Sequence, residues 1–175
     1  YFFKNNSDEI LDSGQVTPTI SGKVDIVVPM RDAGEKYHSI SNFGDRVCVN
    51  KIEYEIYSEM GFKIAKQSFD FSKITALYSN EMYKKVDIAF KSLFRFKPVP
   101  QSGDKTFCYY IITNWDENHQ LGEMTSADES GCWDTTELNP DGTRKIPNGT
   151  YTIKVTAYDF KGNHTSGQQN VKVIN

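Results

Sequence analysis

Apolar and polar residues alternate with a period of two in several separate stretches of the chain. Over residues 22–28, Val24, Ile26 and Val28 fall on one face, the signature of a half-buried strand. Pro29 then ends that strand or places it at an edge. Residues 31–44 are polar and turn-rich and read as a loop. Beyond it, Val47 and Val49 share a face, and Ile52, Tyr54 and Ile56 alternate on a shifted phase. The slip at Asn50-Lys51 predicts a β-bulge, with Glu53 and Glu55 turned to solvent. Met60-Gly61 suits a turn, and Phe62, Ile64, Phe69 and Phe71 continue as a hairpin partner.

The middle of the chain supports two patterns. Over 79–96, Met82, Val86, Ala89, Phe90 and Leu93 recur at helical spacing behind a Ser79 cap, while residues 86–90 also read as a strand. A short helix followed by a strand is the expectation. Residues 106–113 form a strand with Phe107, Tyr109 and Ile111 on one face and Cys108, Tyr110 and Ile112 on the other, so both faces are covered. Residues 114–141 are polar, carry few strand signals and hold both tryptophans, Trp115 and Trp133.

The pattern is clearest at the end. Pro147-Asn148-Gly149 makes a turn. Tyr151, Ile153, Val155 and Ala157 then alternate with Thr152, Lys154, Thr156 and Tyr158. A second turn at 159–163 leads to a closing strand with Val171 and Val173. Residues 1–20 show little periodicity and read as a linker or edge extension, which leaves 21–175 as a single domain. These elements predict an all-β, antiparallel β-sandwich with an elaborated middle insertion, where the short helix would sit.

Composition narrows the class. Hydrophobic residues make up 38% and aromatic residues 13% of 175 residues, enough for a packed core. The net charge of −3 excludes the basic footprint of a nucleic-acid binder. The one basic cluster, Lys84, Lys85, Lys91, Arg95 and Lys97, is interleaved with apolar residues and reads as a solvated face. No apolar run reaches the ~20 residues that span a bilayer. The first residues lack an initiator Met, the mark expected of a fragment or a mature form. Three cysteines occur without CxxC spacing, which argues against structural zinc. Cys108 and Cys132 could form one disulfide in an exported protein; otherwise all three thiols are small buried hydrophobes.

The run 148–159, followed by Gly162-Asn163, resembles the last hairpin of bacterial immunoglobulin-like and fibronectin type III modules. That likeness makes Tyr151 the tyrosine-corner residue, whose hydroxyl ties the strand start to the preceding loop. Residues 21–28, Asp32, Gly44, 49–56, Phe69-Asp70-Phe71 and 149–163 together resemble the immunoglobulin-like accessory region beside lysostaphin-type zinc peptidoglycan endopeptidases. The resemblance implies an immunoglobulin-like sandwich acting as a non-catalytic structural or binding module of an exported protein. Its location would be extracellular, cell-surface, cell-wall or periplasmic, and its partner a protein or a cell-wall glycan.

No catalytic constellation is evident in the sequence. His38, His119 and His164 stand alone, and the His-x-His pair of a lysostaphin-type zinc site is missing. There is no G-x-S-x-G elbow and no phosphate loop. No metal site or cofactor is expected. Asp32, Asp45 and Asp159 read as turn residues before calcium ligands. The candidate binding residues are Trp115, Trp133 and Tyr110, with Tyr109 beside them. Two roles are open to them: a platform for stacking a sugar or a protein, as in a carbohydrate-binding module, or core packing.

Overall fold

The computed structural model describes residues 1–5, 9–11, 16–30, 49–70, 108–114 and 131–175. Among the described residues there is no helix, and nine strands form two sheets. Three long elements arise where the alternation is strongest. These are β3 (Lys23–Met30), β4 (Lys51–Ser58) and β8 (Gly149–Tyr158), and β8 turns back into β9 (His164–Val173). β5 (Lys63–Asp70) is as long as β3 and β4, and the shorter strands are β1 (Phe2–Lys4), β2 (Thr19–Ile20), β6 (Cys108–Ile111) and β7 (Trp133–Asp134).

One sheet runs β1-β3-β6, with β7 also paired to β3; the other runs β2-β9-β8-β4-β5. All pairs are antiparallel except β2, which lies parallel to β9 through Thr19↔Lys172 and Ile20↔Val173. The inward residues of both sheets meet in one core. Phe2, Val24, Ile26, Tyr110, Ile112 and Trp133 come from the first sheet or the segment continuing it. Ile52, Tyr54, Ile56, Tyr151, Ile153 and Val171 come from the second. The molecule is therefore an all-β, sandwich-like fold. Each buried Ile or Val contributes roughly 1.5–3 kcal/mol by leaving water.

The alternation in β4 is realised as expected: Ile52, Tyr54 and Ile56 are buried and Glu53 and Glu55 half-buried on the other face. In β8, Tyr151 and Ile153 are buried, and Val155 and Ala157 pack half-buried against the core. β6 is covered on both faces at its end, with Tyr110 and Ile111 both buried, and Ile112 just beyond it is buried too. The expected turn at 159–163 forms around Asp159, whose Oδ1 accepts from the amides of Lys161 and Asn163. Gly162, at φ +82°, supplies the left-handed step. These bonds hold the Asp159 carboxyl below the usual carboxylate range, the Asn163 side chain contributing most.

Several details differ from the sequence expectation. Pro29 does not end β3, which runs on to Met30. Val27 N–H donates to Tyr1 O, so odd-numbered residues of β3 direct their backbone groups toward β1. The missing donor of Pro29 thus falls beyond the β1–β3 pairing, where it interrupts no bond of that ladder. The register break lies at Ile56/Tyr57, not at Asn50-Lys51: β5 inserts Ile64 between Ala65 and Lys63. Residues 1–20 supply β1 and β2, with Phe2 and Phe3 only 2% and 1% exposed. The helix expected within 79–96 lies outside the described residues.

The register also separates Cys108 from Cys132. Cys108 pairs with Met30, and Trp133 with Val24 along the same edge of β3. Cys132, one residue before Trp133, is level with Asp25, about 17 Å away along β3 at ~3.3 Å per residue. A disulfide needs Cα atoms within about 7 Å. Cys132 accordingly carries a free thiol, whose pKa burial pushes up.

Candidate functional site: the outer face of the five-stranded sheet

Two of the three candidate binding residues lie in the core. Tyr110 is fully buried, and its hydroxyl oxygen accepts from Val49 N–H at 3.1 Å. This bond ties the first sheet to the chain entering β4. Trp133 is 8% exposed and meets the edge of Tyr151 across the sandwich, with centroids 5.7 Å apart and planes at 79°. Neither ring offers a free face for stacking. Trp115 lies outside the described residues. At the start of β8, Tyr151 Oη donates to Pro147 O at 2.7 Å.

The functional groups that do reach the surface are those that strand alternation turns outward from β4, β8 and β9. Glu53 and Glu55, two residues apart on β4, project from one face. β8 pairs beside β4 in a register that brings Tyr158, Thr156 and Lys154 alongside them. β9 adds His164 and Ser166. Seven of these side chains line a polar concavity of about 210 Å3.

A lysine and a phenol hold each carboxylate. Glu53 receives Lys51 Nζ at 2.6 Å and the Tyr158 hydroxyl at 2.7 Å. Glu55 receives Lys63 Nζ at 2.6 Å and the Tyr57 hydroxyl at 2.7 Å. Lys51 also stands 5.0 Å from the Tyr158 ring centroid, and Lys63 stands 5.7 Å from that of Tyr57. The His164 ring lies 5.4 Å from Tyr158, tilted by 39°. Thr156 and Ser166 share a hydroxyl bond of 2.8 Å.

Two like units thus sit side by side, and hydrogen bonding favours the protonated form of three of their groups. The hydrogen bond to Glu53 raises the Tyr158 phenol above its usual range, and the bond to Glu55 does the same for Tyr57. The bond to Glu55 likewise raises Lys63. At neutral pH these phenols remain donors and this lysine remains charged, so none is poised to take up a proton. These two phenols and this lysine can therefore donate hydrogen bonds to a polar partner.

A second, apolar cleft of about 470 Å3 opens between the sheets, where β3 and the turn-proximal half of β8–β9 diverge. Val28, Met30, Val155 and Ala157 line it, with Gly167 and Gln168 at the rim.

Among the described residues, no three His, Cys, Asp or Glu side chains converge as a metal site, and no helix is long and apolar enough to cross a membrane. Asp32, Asp45, His38 and His119 lie outside the described residues, while the carboxylate of Asp159 is engaged in its own turn. No family model, no curated protein and no solved structure matches the chain, so its role is argued from this geometry and the sequence pattern.

Proposed function

We propose that this chain is a non-catalytic structural or binding module of an exported, cell-surface or cell-wall-associated protein, built as an immunoglobulin-like sandwich. The observation that carries the proposal is the Tyr151–Pro147 bond at the start of β8. It stands in a sheet whose first short strand runs parallel to the last. A tyrosine corner at the start of the penultimate strand is a feature of immunoglobulin-like modules. It also agrees with the likeness to the accessory region of lysostaphin-type endopeptidases.

The outer face of β4, β8 and β9 is the presenting surface in this proposal. Its paired carboxylates, lysines and phenols suit a hydrogen-bonding partner, a protein or a cell-wall glycan. The test is incubation of the purified chain with isolated cell walls, following turbidity, released soluble fragments and bound zinc. The expected result is an unchanged suspension, no released fragments and no stoichiometric zinc. Clearing of the suspension that a chelator stops would overturn the proposal.

A further inference from the structure

Among the described residues, β9 is an edge strand for most of its length. β2 pairs with Lys172 and Val173, Lys172 and Ile174 donate their N–H groups to Pro18 and Ile20 carbonyls, and the Gln169 side chain donates to Val16 O. Backbone groups alternate in direction along a strand. The even-numbered residues of β9 therefore face away from β8, and Ser166 and Gln168 present N–H and C=O at the open edge. Every residue from 164 to 170 is exposed.

Edge strands ordinarily carry charges, proline or bulges that deter pairing. The other edge of the same sheet, β5, has Lys63, Lys66 and Asp70 in its sequence and a register break at Ile64. β9 lacks these devices from Thr165 to Val171: its sequence there has no charge and no proline, and its ladder with β8 runs without a shift.

Gly167 sits in the middle of this stretch. Glycine weakens a strand interior and often marks the close approach of another backbone. Among the described residues, a Cβ at Gly167 would meet nothing within 4 Å, so none of them fills that space. Gly167 turns its own backbone groups to β8. Relative to the open edge it is a non-hydrogen-bonded position, where opposing Cα atoms approach to about 4.5 Å.

We propose that β9 is a self-association edge, through which two copies pair antiparallel about a two-fold axis at Gly167. Ser166 exchanges backbone hydrogen bonds with Gln168 of the partner subunit, and the two five-stranded sheets become continuous. A second copy suits this edge because a two-fold contact sets the strand against itself. Any charge near the axis would meet a like charge, and this stretch carries none.

Sedimentation of the full chain over a wide range of concentration tests the proposal. The wild type should form a reversible dimer. The variant Ser166→Lys with Gln168→Lys sets lysine opposite lysine and should raise the dissociation constant about tenfold or more. The variant Ser166→Glu with Gln168→Lys sets opposite charges against one another and should keep the dimer. Both pairs of substitutions are at exposed positions, so dilute samples should melt as the wild type does, which separates lost pairing from lost folding. A wild type that stays monomeric throughout would overturn the proposal, as would double variants that associate equally.

Discussion

Replacing Tyr151 with phenylalanine removes one oxygen from a residue that is only 4% exposed. The ring and its edge contact with Trp133 remain. What is lost is the 2.7 Å bond to Pro147 O, which fixes the loop entering β8. A neutral hydrogen bond contributes about 1 kcal/mol net, and Pro147 is itself exposed, so its freed carbonyl can turn to water. The expected cost is therefore about 1 kcal/mol. For a chain of this size each kcal/mol shifts the midpoint by about 2–4 °C, giving a fall of about 2–4 °C. Thermal unfolding followed by circular dichroism, with urea titration for the free energy, measures it. Tyr158→Phe is the control, because that hydroxyl binds Glu53 on the solvent-facing side; it should cost less. Equal losses at the two positions, or no loss at Tyr151, would refute the role given to this bond.

Other substitutions and conditions probe the rest of the structure. Trp133→Ala should cost about 3–5 kcal/mol, with any loss of binding following unfolding; a folded variant of unchanged stability would place the ring outside the core. Gly131→Ala puts a Cβ 2.6 Å from Thr113 O and 3.0 Å from Asn114 Cα. The backbone must shift to relieve that contact, so urea unfolding should show a loss of about 1–3 kcal/mol. Folded-state values raised at Tyr57, Tyr158 and Lys63 give stability that is full below their ordinary pKa values and is lost as pH rises through the folded ones. Melting temperature should therefore fall above about pH 10, and Glu53→Gln with Glu55→Gln should flatten that fall. The lowered carboxyl of Asp159 has the opposite sign: its contribution is present above the ordinary carboxylate pKa and is lost as pH falls through the folded value. Asp159→Ala should flatten the acid limb of the same profile.

The parts of this fold that are legible in the sequence are those where one face is buried and the other is not. Ile52, Tyr54 and Ile56 mark β4 because every second side chain enters the core. Tyr151 and Ile153 mark β8 in the same way. β1 is harder to read because its three residues are too short to show a period, and both Phe2 and Phe3 are buried. The phase slip at Asn50-Lys51 reflects where β4 begins. The actual register break depends on Ile64 of the partner strand and leaves no local trace.

The candidate site follows the same division. Alternation alone turns Glu53 and Glu55 outward. Their partners Tyr158 and Lys63 become neighbours only through pairing with β8 and β5. Trp133 looks like a loop residue because its strand has two residues, and the ring that covers it, Tyr151, is 18 positions away in the sequence. Composition cannot distinguish a tryptophan that closes a core from one that binds a sugar; the 79° contact with Tyr151 does.

The proposed role as an immunoglobulin-like module turns on β2 lying parallel to β9 beside the β8–β4 pair. Nuclear Overhauser contacts between backbone protons test that arrangement directly. Thr19 and Ile20 should show parallel-strand contacts to Lys172, Val173 and Ile174, with Lys172 and Ile174 amides protected by the carbonyls of Pro18 and Ile20. Antiparallel contacts, or the absence of any contact between these segments, would contradict the architecture and the function proposed from it.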